Sequence, residues 1–307
     1  MLILTNDAVF LADATSGNLS PDRLVQEQGI RCGCAGTSAA AVARDDGVVI
    51  HIANGDIEYL DTGIEDQIEC LDILSDDPLE LLIGTEPPRV YLLTSSSSAE
   101  RSRSFDQLEC RNDWYTPWGG PPAVRSFAHI DNCVYADIHV GSIMRSTDRG
   151  TSWEPVTPDL HEDVHQVAIC GAAPRRVYAN TADAVFVSDD LGETWDHRAG
   201  GLSARYGRAI AVHPSDCDCV LTTVSDGPRS DVNGRLYRSD NAGGSWTHVT
   251  DGFPSETHDN IDTYHVGFSA DGRAWAAVEE RLYVSADRGK TWSVAWEAPR
   301  SILAIAC

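Results

Sequence analysis

The stretch Ser188-Asp189-Asp190-Leu191-Gly192-Glu193-Thr194-Trp195 decides how this chain is read, because it recurs. Ser146-Thr147-Asp148-Arg149-Gly150-Thr151-Ser152-Trp153 precedes it. Ser239-Asp240-Asn241-Ala242-Gly243-Gly244-Ser245-Trp246 and Ser285-Ala286-Asp287-Arg288-Gly289-Lys290-Thr291-Trp292 follow it. All four fit Ser-x-(Asp/Asn)-x-Gly-x-x-Trp, and their first residues stand 42, 51 and 46 apart. Local chemistry makes each a hairpin. The Asp or Asn side chain folds onto nearby backbone N–H groups, and the Gly supplies the positive φ of a tight turn. The Trp then opens the next strand, its ring packed back over the turn. A short β-type run precedes each box, as in Val185-Phe186-Val187 and Leu282-Tyr283-Val284. A unit recurring at this period is a propeller blade of about 40–45 residues, so 307 residues hold about seven.

Upstream the boxes fade but the period continues. Leu81–Gly84 and Val90–Tyr91 read as strands, with the Ser95–Ser98 loop replacing the box turn and Phe105 standing where a Trp belongs. The sequence predicts one all-β domain over residues 1–307, a seven-bladed propeller with six blades as the runner-up. Blades are expected near 30–61, 67–108, 124–157, 164–198, 206–249 and 263–296. Residues 301–307 and 1–29 make the last blade, so N- and C-terminal strands pair and close the ring. Residues 13–29 are expected to be an irregular or short helical excursion within it.

The charge is extreme: 23 Lys+Arg against 47 Asp+Glu, a formal net charge of −24, with Lys290 the only lysine. The acids are spread over the whole chain, which favours adaptation to multimolar salt in a halophilic prokaryote over an acidic patch for cationic partners. A surface this acidic excludes nucleic acid as a partner. No stretch reaches the roughly 18 apolar residues of a membrane span, and the N-terminus has no secretion-signal pattern, so a cytoplasmic protein is expected. The nine cysteines then read as small buried hydrophobes in a reducing compartment. The Cys32/Cys34 and Cys217/Cys219 pairs lack the spacing of a structural zinc site.

These repeats look like the Asp-box, or BNR, repeat, and the chain resembles the prokaryotic sialidase-like propellers often labelled glycosyl hydrolases. The boxes, the Gly84-Thr85-Glu86-Pro87 run, the Trp118-Gly119-Gly120-Pro121-Pro122 loop and Asp163-Val164-His165 carry that resemblance. It implies that Asp148, Trp153, Asp190, Trp195, Asn241, Trp246, Asp287 and Trp292 are rim staples remote from the ligand face. It also implies a ligand near the central channel. No Arg-Ile-Pro motif, arginine triad or Tyr–Glu pair is found, so true sialidase activity is not expected.

The starts of the innermost strands align Arg125, His165, Arg208 and His265 at one level, an electropositive ring suited to an anionic ligand. Ends of second strands add Glu86, Asp137, His139 and Asp226, and Asp163 precedes His165. Glu86, Asp137 and Asp163 are the candidate catalytic carboxylates. His139 and His165, with Asp137 or Asp163, are candidate ligands for a divalent metal, and no other cofactor is indicated. Tyr206, Tyr264 and Trp118 are candidate stacking residues, Trp114 and Trp118 serving either a carbohydrate platform or the interblade core. Two functions compete. One is binding of an anionic small molecule, glycan or protein segment at the channel face. The other is a glycoside hydrolase or lyase using the inward carboxylates and histidines, with two carboxyls about 5 Å or roughly 6.5–9.5 Å apart.

Overall fold

The computed structural model describes residues 1–15, 19–94, 98–156, 159–172 and 176–307. Most of the Ser95–Ser98 loop therefore lies outside the described residues. The chain forms seven four-stranded antiparallel sheets, not six. The Asp box explains the hairpins. In the box at Ser188, the Ser188 hydroxyl donates to Asp190 Oδ1 (2.8 Å) and accepts from Gly192 N (2.7 Å), while Asp190 accepts from Thr194 N (2.9 Å). The same pattern recurs at Ser146, Ser239 and Ser285, with Asn241 replacing the aspartate in the third box. The residue before each box glycine is also left-handed, at φ 55–63°. Each turn joins the third and fourth strands of its blade, for example Ala184–Ser188 to Asp196–Arg198.

Blade 1 closes the ring, with the order Ile302–Ala306, Leu2–Thr5, Ala8–Leu11, Asp22–Gln26. Asp22–Gln26 corrects the expected irregular excursion: it is a β-strand, exposed along most of its length as an outermost strand should be. Its Val25 is buried opposite Val9, which is enough to register it. The inner strands of blades 2 to 7 are Ile30–Ala35, Gln67–Asp76, Val124–Ile130, Val164–Ile169, Tyr206–His213 and Val266–Phe268. Each packs beside the next around the channel, and Ile302–Ala306 completes the circle.

The core lies between blades. Trp195 packs with Tyr135 of blade 4, Trp246 with Tyr178 of blade 5, and Trp292 with Leu221 of blade 6. Phe105 is fully buried against Trp153 and Trp114, so it fills an interblade position in a blade without a box. Cys170 and Cys217 form a disulfide joining blades 5 and 6, which corrects the reading of every cysteine as a reduced thiol. It also removes Cys217/Cys219 as a metal-binding pair. Because disulfides are rare in reducing cytosol, the cysteines no longer support a cytoplasmic location. Among the described residues no helix is long and apolar enough to cross a membrane.

Candidate functional site

The channel face is built by one repeated irregularity. At the entry of the inner strands the pairing register skips a residue: Arg31 between Ile30 and Cys32, Glu69 between Ile68 and Cys70, Arg125 between Val124 and Ser126. His165, Arg208 with Ala209, and Leu303 are skipped in the same way. A bulge leaves its extra residue out of the ladder and re-aims the side chain. His265 immediately precedes its strand, held by a bond from Ala277 N to its carbonyl. The ring is therefore Arg31, Glu69, Arg125, His165, Arg208, His265 and Leu303. Sequence reasoning found four of these seven and missed Arg31, Glu69 and the apolar Leu303. The signal was present in Ile30-Arg31-Cys32 and Ile68-Glu69-Cys70, which repeat the apolar–charged–small pattern of Val124-Arg125-Ser126.

The ring is not purely positive, as the sequence suggested. Arg31 pairs with Glu69 at 2.7 Å. Arg125 and Arg208 both approach Asp262 Oδ1, at 4.0 and 3.5 Å. Burial alone would raise the pKa of Asp262, but Arg208, Arg125 and His265 hold it below the usual range. Arg208 Nε is buried and has no hydrogen-bond partner among the described residues. A cavity of about 310 Å³ opens here, lined by Arg31, Glu69, Arg125, Asp262, Thr263 and His265 among others.

The segment 261–265 crosses the channel. Thr263 donates to His165 O (3.0 Å), and Ile305 N donates to Tyr264 O (2.9 Å). Tyr264 has φ 63° and packs against both the Val124 and the Leu2 clusters. Its hydroxyl is buried with no hydrogen-bond partner among the described residues, while the residue itself is part-exposed and lines the same cavity. Burial drives its hydroxyl pKa well up, with Cys70 and Asp137 adding to the shift.

A second constellation sits over blades 4 to 6. Gly141 N and Ser142 N both donate to Glu162 O, tying the loop after Cys133–Ile138 to the entry of the next blade. That tie brings His139 Nε2 within 3.6 Å of Asp163 Oδ1, while His165 Nε2 lies 3.2 Å from the same oxygen. His165 is fully buried, and its Nδ1 donates to Gly207 O at 2.6 Å. Burial, Arg125 and His165 push the His139 pKa down to about 3. The rings of Trp118, His139, His165 and Tyr206 follow one another at centroid distances of 4.9, 5.5 and 4.8 Å. The Arg208 guanidinium lies over Tyr206 at 5.1 Å. Trp118 is 59% exposed, whereas Trp114 packs into the core beside Phe105. Trp114 thus takes the interblade role, and Trp118 stays exposed beside His139.

The carboxylates fare unequally. Asp137 is fully buried, so it does not reach the channel surface as expected. Neither of its oxygens has a hydrogen-bond partner of good geometry among the described residues, although Ser126 lies beside it. Burial raises its pKa to about 7, with Ser126 and Arg125 offsetting only part. Asp226 pairs with Arg235 at 2.9 Å and accepts from Asn233, which takes it out of the site. Glu86 is half-buried, its pKa raised by burial and by Glu69. His265 accepts from Asp262 N and is bonded through Nε2 to Leu303 O, so both its nitrogens are engaged.

Residues 141–253 match the family described as Sortilin-Vps10 (sortilin, neurotensin receptor 3), and residues 282–294 match the BNR-Asp box repeat. A xyloglucanase of Hypocrea jecorina is 28% identical over 138 residues, covering 41% of this chain and 16% of that enzyme. An ancestral GH74 enzyme superposes with TM-score 0.67 at 14% identity, over 88% of this chain and 39% of its own. YCF48 from Cyanidioschyzon merolae superposes with TM-score 0.60 at 14% identity, over 89% and 87%. The GH74 xyloglucanase of Xanthomonas campestris superposes with TM-score 0.60 at 16% identity, over 94% and 46%. The chain thus spans less than half the length of these three glycoside hydrolases. It is a seven-bladed β-propeller carrying BNR/Asp-box repeats, similar in fold to these glycoside hydrolases and to YCF48.

Proposed function

We propose that this propeller binds an anionic ligand at its channel face, with an acidic glycan as the best-fitting class. One observation carries the reading. Arg125 and Arg208, from different blades, share a single carboxylate at 4.0 and 3.5 Å, and Arg208 Nε is left without a partner. Charged donors held this loosely favour a second anion, since a guanidinium is satisfied by close, bidentate contact. Trp118, exposed and packed on His139, offers an aromatic face for a sugar ring beside that anion hole, with His165 and Tyr206 packed behind it. The xyloglucanase relative supports a glycan, and a related fold described as YCF48 bound to D1 peptide supports a protein segment as the competing occupant.

Hydrolysis needs two carboxyls at the substrate. With Asp137 enclosed and Asp226 paired elsewhere, Glu86 and Asp163 are the sequence-named candidates that remain, beside Glu69 and Asp262 of the cavity. The test is calorimetry with oligogalacturonate, neutral xyloglucan oligosaccharide and an acidic peptide, on the native protein and on Arg208→Ala. Preferential binding of oligogalacturonate, weakened at least about tenfold by the substitution, is expected. Equal binding by Arg208→Ala would overturn the proposal, and release of reducing ends from xyloglucan would favour the hydrolase reading.

A further inference from the structure

We infer that His139, Asp163 and His165 form a site for one first-row divalent transition-metal ion, with Zn²⁺ as the natural occupant. One ligand atom from each residue lies within 4.8 Å of the other two. Asp163 Oδ1 stands 3.6 Å from His139 Nε2 and 3.2 Å from His165 Nε2. Ligands of a tetrahedral ion with bonds of ~2.1 Å lie ~3.4 Å apart, close to both distances from Asp163 Oδ1, and the two imidazole nitrogens stand within 4.8 Å of each other.

The proton positions point the same way. A carbonyl oxygen only accepts, so the 2.6 Å contact with Gly207 O puts the hydrogen of His165 on Nδ1. Nε2 of the neutral ring is then a lone pair, and it faces a carboxylate oxygen. Asp163 Oδ1 is itself buried, with no hydrogen-bond donor among the described residues. Tyr206 Oη, 3.2 Å from His165 Nε2, supplies one proton at most. Opposed lone pairs in a site largely shielded from water are repulsive, and a cation between them converts the repulsion into bonds. The Nδ1–H···O=C contact also has the form of the outer hydrogen bond that orients a metal-bound imidazole.

Two imidazoles and one carboxylate suit Zn²⁺ and its neighbours rather than Mg²⁺ or Ca²⁺, which prefer oxygen ligands. Three protein ligands also leave coordination positions open to a further ligand. Arg125 and Arg208 oppose the cation, and Asp262 offsets them in part. The inference does not depend on which anion the channel face takes.

The whole chain, stripped with chelator, would be titrated with Zn²⁺ by calorimetry in 1 M KCl, where a Debye length of about 3 Å suppresses loose binding to surface carboxylates. His139→Ala and Asp163→Asn would be titrated alongside. His165 is fully buried, so its substitution is not relied on. One equivalent of Zn²⁺ is expected, with affinity falling more than about 100-fold in each variant. A visible absorption spectrum of bound Co²⁺ should be lost in both. Thermal melting of the chelated variants, unchanged from the parent, separates ligand loss from misfolding. Failure to bind one equivalent, or equal binding by the variants, would overturn the inference.

Discussion

His165 donates from Nδ1 to the carbonyl oxygen of Gly207 across the junction of blades 5 and 6, at 2.6 Å. That contact orients a fully buried imidazole, and it depends on a close approach only glycine permits. A Cβ at Gly207 would stand 1.8 Å from Asn180 Oδ1 and 2.8 Å from Thr181 O. Asn180 cannot move freely, since its amide donates to Ala209 O, Thr222 Oγ1 and Thr223 O. Gly207→Ala should cost about 1–3 kcal/mol by overpacking. Urea denaturation measures it, and an unchanged midpoint would show that the junction tolerates the methyl group.

The disulfide gives a second expectation. Cys170 and Cys217 close a loop of sequence separation 47. Replacing both by serine should remove about 3–4 kcal/mol, mostly by releasing entropy in the unfolded chain. Comparing oxidised parent, reduced parent and double variant in urea would show it. Equal stability of all three would mean that the bond contributes nothing.

Asp137 makes stability depend on pH. Its folded pKa is raised to about 7 by burial, above the unfolded value near 3.8. A raised carboxyl contributes stability that is complete below about pH 4 and lost as pH climbs to 7. Asp137→Asn should therefore be nearly as stable as the parent near pH 4 and increasingly more stable than it from there to pH 8. Parallel pH profiles for the two proteins would contradict this.

The Asp box has the opposite sign. Hydrogen bonds from Thr194, aided by Ser188, depress Asp190 to about 2, so its contribution is present above the unfolded value and lost as pH falls towards 2. Asp190→Ala should lower stability at pH 7 by about 1–3 kcal/mol, the cost of the turn donors it leaves unpaired. Asp190→Asn should retain most of it, because Asn241 makes the corresponding bonds from Ser239 and Ser245 N through its Oδ1. Thermal melts at pH 7 and pH 3 distinguish the two variants.

Trp118 separates binding from folding. Its ring is mostly exposed and touches the site through His139. Trp118→Ala should leave the melting temperature within about 1–2 °C while weakening oligogalacturonate about tenfold, as expected for a lost stacking surface. Full-strength binding would remove Trp118 from the platform.

The boxes were legible because their chemistry is local. Ser188, Asp190, Gly192 and Thr194 bond to one another within a few residues, so the hairpin is written where it forms. Strand alternation carried the rest of the blades, and the period supplied their number. The strand Asp22–Gln26 escaped because its faces are mostly exposed and its single anchor, Val25, makes no pattern.

The site was legible only in its inner-strand starts. Arg125, His165, Arg208 and His265 share a position in each repeat, and a repeat can be aligned from sequence. Asp262 could not be found that way, because its meaning comes from two arginines reaching it from other blades. Asp137 shows the same limit: it lies two residues from His139 in sequence, and only burial depth separates it from the channel face.

Sequence by itself determined the repeat unit, its turn chemistry and the closure of the ring, since these rest on short-range hydrogen bonds and hydrophobic periodicity. Tertiary structure decided which of the polar residues meet. The His139–Asp163–His165 cluster, the shared carboxylate of Asp262 and the Cys170–Cys217 bond join residues of different blades, up to 137 positions apart for Arg125 and Asp262. Their encounter follows from how seven sheets pack around one axis, and no local propensity encodes that distance.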